Sequence, residues 1–596
     1  MRRLIVGLLL LVTTSITMQA ARAFSEPVTV AQPDGTMLTV TLHGDEYAHW
    51  LAASDGTLLV ETDGRYYVAA VGDNGELTAT PLLAHNIGQR SADEQQACQA
   101  QQLRRSMFFR HLDRLQQESR RAQVTSSSYF PHAGSPKCLV ILANFSDNQF
   151  TSAQVVEQFN QYFNGETQQN MGYNEDKNLV SVRKYFEHSS HGAFTPQFDI
   201  VGPVTLPQAL SYYGQDQGTT KDIRYNTFCK DAIAAVDGLV DFHDYDNDGN
   251  GTAELVCVIY AGCGQSVTGN PANTIWPKCG HQGISTQDGV TVSYMNCSPE
   301  LYRTDNTDIN GIGLFIHEFS HGMGLPDHYV KPENESAHLN NQSPEFWDLM
   351  DYGEYEGNGY TPVPYTAWEQ AAMGWIEIEE LTESQNGVEL KSLMREGGKA
   401  YKFGNGGSAE EWMILENVQA RNTTDHVPGF RYGHGLLVWH IAYNYSTVNM
   451  GDYPNNVANV PRVCIVPADG LVINGYLFGL GKPYTQAEYI ASLGGDPFPG
   501  TGNVQALNAT MGLPNYTYYS GDATPTAELR NITENTTTGT VTFDFYTGTT
   551  TVFPVVRTVT PAPADAAYYS LDGRRISGQP VSSGLYIHNG RKVVLH

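Results

Sequence analysis

The stretch GIGLFIHEFSHGMGLPD, residues 311–327, decides the reading of this chain. On a helix, residues four apart share a face, so the imidazoles of His317 and His321 can converge on one ion. Glu318 follows His317 directly, where its carboxylate can reach a water on that ion without becoming a ligand. Ile312, Phe315, Ile316 and Phe319 supply the apolar sides that bury such a helix. Gly324 lets the chain turn sharply with positive φ, and Asp327 then comes back toward the ion. Two nitrogens and one oxygen leave a fourth position open, which is the arrangement of a catalytic Zn2+ site. His328 is the rival third ligand, one residue out of register, and ranks below Asp327. A helix with two merely packed histidines has no need of Gly324 and Asp327 at these offsets.

Some twenty residues on comes Trp347-Asp348-Leu349-Met350-Asp351-Tyr352. Met350 stands where a metzincin places its Met-turn beneath the zinc. Tyr352, two residues after the Met, stands where some metzincins carry a phenol that steadies the oxyanion. A packing tyrosine is the plainer reading of the same residue.

Outward from this core the chain divides into segments. Residues 1–23 read as a signal peptide: Arg2 and Arg3 precede an apolar run, Leu4 to Val12, and Ala21-Arg22-Ala23 fits an A-x-A cleavage site. The apolar run is too short to span a bilayer, and no later stretch reaches that length. Residues 24–125 read as a propeptide, beginning with short alternating strands joined at Asp34-Gly35, Asp55-Gly56 and Asp63-Gly64. A polar helix over 91–122 follows, carrying Arg104-Arg105 and Arg120-Arg121, then a loop-like Ser126-Ser127-Ser128. Residues 126–380 alternate strand and helix, beginning with the apolar strand Cys138 to Phe145. Residues 381–546 carry β patterns such as Gly435 to Ile441, and 547–567 is a Thr/Pro-rich linker before a tail at 568–596. The fold class expected is therefore α+β: a zincin-like catalytic domain, then a β-sandwich-like domain, with an N-terminal propeptide.

Composition narrows the function. Acidic residues outnumber basic ones, 63 to 35, for a net charge of −28, which repels nucleic acid and leaves protein or peptide substrates and cations as partners. The expected location is secreted or cell-surface. Eight cysteines in a chain of 596 residues, none in a C-x-x-C pair, could form disulfides after export, with a connectivity that sequence leaves open.

A second cation site is written into Asp244-Tyr-Asp246-Asn-Asp248-Gly249-Asn250-Gly251. Alternating side-chain oxygens with glycines for a tight turn match the first half of a Ca2+ loop. The closing Glu of an EF-hand is missing, and Glu254 is the late ligand instead. An empty acidic turn is the alternative.

The chain resembles the immune inhibitor A family of secreted metallopeptidases. The resemblance rests on Ser181-Val-Arg-Lys-Tyr185-Phe186, Val258-Ile-Tyr260-Ala-Gly262, Ile275-Trp276-Pro277 and the HExxHxxGLPDxY run ending at Tyr329. Downstream it includes Leu415-Glu416-Asn417, Gly435 to His440 and Gly495-Asp496-Pro-Phe-Pro499-Gly, so it extends over about residues 135–545. Asp351 departs from the family, which more usually has a small residue after the Met. The resemblance implies a zinc endopeptidase with ligands His317, His321 and Asp327, in which Glu318 is general base to a metal-activated water. It also implies calcium near Asp244 to Glu254 and synthesis as a zymogen. The tail, Leu571-Asp-Gly573-Arg574-Arg575 through Gly584 to Lys592, is similar to C-terminal sorting tails of the type IX route, which implies secretion machinery as a partner. The rival class is a surface-binding adhesive protein with a decayed protease domain, against which intact Glu318 argues. Zinc amidohydrolysis of a non-protein substrate is disfavoured by Gly324, Asp327 and Met350.

Overall fold

The structure, a computed structural model, describes residues 18–19, 21–24, 26–45, 49–120, 129–166, 178, 180–217, 221–304, 308–330, 343–404, 411–421, 426–443, 450–457, 459–472, 485–520, 524–548 and the tail strands 568–569, 575–576, 584–588 and 591–595. The leader run Leu4 to Val12, the Ser126-Ser127-Ser128 loop, Arg121 and nearly all of the expected linker lie outside the described residues.

Strict alternation builds the central sheet. In strand Lys137–Asn144, Cys138, Val140 and Leu142 enter one core while Leu139, Ile141 and Ala143 enter another. Strand Thr252–Cys263 repeats this with Leu255, Cys257 and Ile259 against Val256, Val258 and Tyr260. Successive side chains leave a strand on opposite faces, so a continuous apolar run is what a sheet covered on both sides demands. These two strands, Thr291–Leu301 and Gln197–Thr205 run parallel, and Lys278–Ser285 joins antiparallel beside Thr291–Leu301. Helices Val155–Asn164, Val182–Ser189 and Ile312–Gly322 cover one face, and Tyr225–Val236 covers the other.

The N-terminal unit is a six-stranded antiparallel meander, Val28–Ala31 to Leu77–Leu83, in sequential order. Helix Ala92–Arg120 lies against it through Phe108 and Leu112, which pack on Trp50, Leu58 and Val71. Gln101 adds side-chain bonds to the backbone of Leu58 and Ala69.

Beyond residue 380, a five-stranded sheet (379–380, 401–403, 412–418, 435–441 and 463–465) and a three-stranded sheet (385–391, 528–535 and 540–546) share one apolar core. The five-stranded sheet alternates as the central sheet does. Met413, Leu415, Leu436 and Val438 face that shared core, while Ile414, Leu437, Trp439 and Ile441 join the cluster that holds Met350 and the histidine helix. Position 380 is therefore a change of secondary structure without a seam in the packing, and residues 1–548 form one compact unit. The tail forms a separate four-stranded sheet within the second unit, 549–596. All eight cysteines are free thiols, the nearest pair being Cys138 and Cys257 with sulfurs 3.6 Å apart.

Candidate metal centre

Helix Ile312–Gly322 begins where the chain has room for no side chain: a Cβ on Gly313 would stand 2.0 Å from the Glu354 carbonyl oxygen. It ends at Gly324, whose φ of +103° is the left-handed turn that only glycine adopts freely. That turn returns Asp327 to the helix. His317 and His321 Nε2 lie 3.2 Å apart, and each is 3.3 Å from Asp327 Oδ1. His317 Nδ1 donates to the Leu349 carbonyl at 2.9 Å, and His321 Nδ1 donates to the Leu325 carbonyl at 2.7 Å. With both Nδ1 protons so engaged, the two Nε2 atoms converge on each other and on a carboxylate. A cation at that point, whether a proton on His317 or a metal ion, relieves the repulsion between them. Both Asp327 oxygens are buried without a hydrogen bond, and the spacing suits an ion with bonds of about 2.0–2.2 Å. The donor set thus fits zinc.

Burial works against charge on all three residues, and neighbours overcome it at Asp327 and His317 but not at His321. The two imidazoles bring Asp327 below the usual carboxylate range. Glu354, Asp327 and Glu318 carry His317 well above the ordinary imidazole value, whereas burial keeps His321 below it. Glu318 is pushed up to about 8 by burial, against the opposing pull of His317 and the Ala21 amide.

Met350 lies buried where the sequence places it, and the backbone around it is tied to the metal residues. Leu349 supplies the carbonyl for His317, the Met350 carbonyl accepts from the His328 amide at 2.9 Å, and the Met350 amide donates to Asp348 Oδ1 at 2.7 Å. His328 turns away from the triangle. Its Nδ1 meets Asp348 Oδ2 at 2.7 Å, with Glu369 Oε1 at 3.9 Å. Tyr352 stacks on Phe346 and lies under the Arg22 guanidinium, 4.6 Å from ring centre. Of the second expected cation group, Asp246, Asp248 and Glu254 converge within 4.8 Å. Asp244 stands apart from them in the turn Phe242–Tyr245, and Asn250 donates its side-chain amide to Asp248 at 2.9 Å. Asn247 was not anticipated. It donates to Glu254 Oε2 at 3.0 Å, and an Asn between two Asp residues gave no separate signal.

Residues 18–23 reach the histidine helix, a contact that the sequence reading did not anticipate. Met18–Gln19 pairs antiparallel with the free edge of strand Lys278–Ser285. The Ala21 amide donates to Glu318 Oε1 at 2.6 Å, and the Ala21 carbonyl accepts from Trp276 Nε1 at 2.9 Å. The Arg22 carbonyl accepts from the Tyr355 hydroxyl at 2.7 Å. Ala21, Arg22 and Ala23 are all buried. Glu354 was also missed: its carboxylate lies 3.8 Å from His317 Nδ1, and burial raises it well above the usual range.

Residues 127–376 match the family described as immune inhibitor A peptidase M6, catalytic domain. This segment is a metallopeptidase domain of the M6 type. The chain is 24% identical, over 267 residues, to Immune inhibitor A of Bacillus thuringiensis subsp. alesti, a match covering 39% of this chain and 38% of the relative. It is 24% identical over 247 residues to the pre-pro-metalloprotease PrtV of Vibrio cholerae serotype O1 (strain M66-2), covering 36% of this chain and 26% of that protein. The chain thus spans well under half the length of these relatives. The M6 match ends at residue 376, four residues before the change to mainly β structure, in which Gln486–Leu493 is the one α-helix among the described residues. Among the described residues no helix is long and apolar enough to cross a membrane.

Proposed function

We propose that this protein is an exported zinc endopeptidase, made as a zymogen, in which His317, His321 and Asp327 hold the metal. The observation that carries the reading is the triangle of converging Nε2 atoms and Asp327 oxygens without a hydrogen bond beside Glu318. Zinc, when bound, supplies Lewis acidity toward a peptide carbonyl and lowers the pKa of a water toward neutrality. The chain does the rest. Glu318 already contacts an amide nitrogen of a chain lying in the cleft, the position from which a carboxyl group returns a proton to a leaving amine. Trp276 and Tyr355 orient the bound main chain through its carbonyls, and the edge strand adds backbone pairing.

The same contacts support latency. Residues 21–24 lie where a substrate would, continuous with the N-terminal meander through the Ala23 amide, which donates to the Gly44 carbonyl at 2.7 Å. Asp246, Asp248 and Glu254, with Asn250 and Asp244 in the same turn, form the calcium loop on this reading. Three carboxylates this close repel until a hard cation neutralises them. The Asn250 and Gly251 amides already answer Asp246, so calcium would tighten a turn that forms without it. The tail serves export.

The test is Glu318→Ala. It should retain about one zinc per chain and lose several orders of magnitude in hydrolysis of a denatured protein substrate. Wild-type turnover in that variant would overturn the mechanism.

A further inference from the structure

Arg22 is an arginine held in the interior, and a buried carboxylate, Asp351, meets it. Its Nη1 lies 3.8 Å from Asp351 Oδ1, and its guanidinium sits 4.6 Å from the Tyr352 ring centre and 5.7 Å from that of Tyr329. Asp351 is fully buried. Its Oδ2 accepts the Glu345 amide at 2.8 Å, while its Oδ1 has no hydrogen bond and points at the guanidinium. A buried carboxylate oxygen left without a partner is costly, and a cation between two aromatic rings gains from both faces. Asp351, Tyr329 and Tyr352 thus form a built pocket for a planar cation, with a charged floor and aromatic walls.

The register says what the pocket is for. The Ala21 amide faces Glu318, so Ala21 occupies the place of the residue whose nitrogen leaves when a peptide is cut. Arg22 is then the second residue on the amine side of that bond. Trp276 and Tyr355 grip only carbonyls at these two residues, contacts any peptide can make. The pocket is where side chains are told apart.

We propose that the Asp351 pocket is a specificity subsite that selects peptide substrates with arginine, and less well lysine, as the second residue after the bond cut. The inference rests on the endopeptidase reading above. Lysine ranks lower because its compact ammonium cannot lie flat between the rings. The chain's own Arg22 then holds the cleft closed by the same recognition that admits a substrate.

The experiment uses the zinc-loaded enzyme freed of its N-terminal unit by its own processing, and three quenched fluorescent peptides. They differ only at the second residue after the bond, carrying arginine, its neutral isostere citrulline, or glutamate. Wild type should show a kcat/KM about tenfold higher for arginine than for citrulline, with glutamate poorest. In Asp351→Asn and Asp351→Ser the arginine-to-citrulline ratio should fall to about one. In parallel, calorimetry on the Glu318→Ala enzyme, freed of its N-terminal unit by added wild-type enzyme and repurified, should show Ala-Arg-Ala-Phe binding about tenfold more tightly than its citrulline analogue. If wild type cuts all three peptides equally, the pocket proposal fails while the hydrolase reading stands. If nothing is cut, the hydrolase reading fails, and equal binding of the two tetrapeptides then overturns the pocket as well. Should the Asp351 variants not fold, the order of the three peptides with wild type and the tetrapeptide pair decide alone.

Discussion

Two histidine–carboxylate clusters adjoin in this chain, one closing at Asp327 and the next opening at His328. In the first, three ligand atoms stand 3.2 to 3.3 Å apart and both Asp327 oxygens go without a hydrogen bond. In the second, His328 Nδ1 closes on Asp348 Oδ2 at 2.7 Å, a hydrogen bond with no space for an ion between its partners. Burial and the Asp348 charge keep Glu369 well above the usual carboxylate range. Residue type does not separate the clusters, since both are His and carboxylate and all six residues are buried. What separates them is spacing, since His328 Nε2 and Glu369 Oε1 in the second cluster also lack a hydrogen bond while His328 Nδ1 is already closed on Asp348. The first cluster is open and awaits a metal; the second is shut and ties the segment after Asp327 to the Met350 turn through Asp348.

Several substitutions could break that contrast. The largest effect is expected at the open cluster: Asp327→Ala should lose zinc on dialysis and reduce hydrolysis to background, while His328→Ala keeps its metal. Zinc content by elemental analysis of the two variants settles which cluster is open, and greater loss from His328→Ala would reverse the assignment. Asp348→Asn should leave zinc bound yet lower kcat/KM about 10- to 100-fold, because a group that orients the metal residues is weakened while no ligand is removed. Unchanged kcat/KM in that variant would mean that the closed cluster does not steady the site.

The calcium loop offers an intermediate case, since its carboxylates are partly answered by backbone amides and partly exposed. Calcium at a hundredfold over its dissociation constant should stabilise the wild type by about 2.7 kcal/mol. Asp246→Ala with Asp248→Ala should lose most of that gain in thermal melts with and without chelator. Equal shifts in both proteins would place calcium elsewhere.

The smallest effect belongs to Glu416, beside the closed cluster. Its Oε2 accepts from the Ala367 amide and Trp439 Nε1, and burial first, then the Asp348 charge, push it up to about 7. The folded chain therefore holds a proton that the unfolded chain releases near 4.5, and stability falls as pH rises from about 4.5 to about 7. Glu416→Gln keeps both bonds and removes the ionisation. It should flatten that slope by on the order of 2 kcal/mol between pH 5 and pH 8 in denaturant melts. Parallel slopes in variant and wild type would contradict the assignment.

How much of this could be read beforehand depends on distance along the chain. His317, Glu318, His321, Gly324 and Asp327 lie within one helix and its turn, where local periodicity states the geometry. Asp348 and His328 were in view within quoted motifs, yet their pairing is tertiary and leaves no periodic trace. The burial of Arg22 was the least legible feature. It depends on contacts with residues more than three hundred positions away, and its neighbours Ala21 and Ala23 gave a ready reading as a cleavage site. The boundary at 380 was visible as a switch to β patterns. That the five-stranded sheet serves two cores was implicit in the unbroken apolar run Gly435 to Ile441, which an outer strand with one wet face would not carry.

The most direct test of the account is anomalous diffraction at the zinc edge from crystals of the full chain grown with zinc. The account predicts a peak bounded by His317 Nε2, His321 Nε2 and Asp327, and none among His328, Asp348 and Glu369. A peak in the second cluster, or density showing His317 and His321 bonded to each other without a metal, would contradict it.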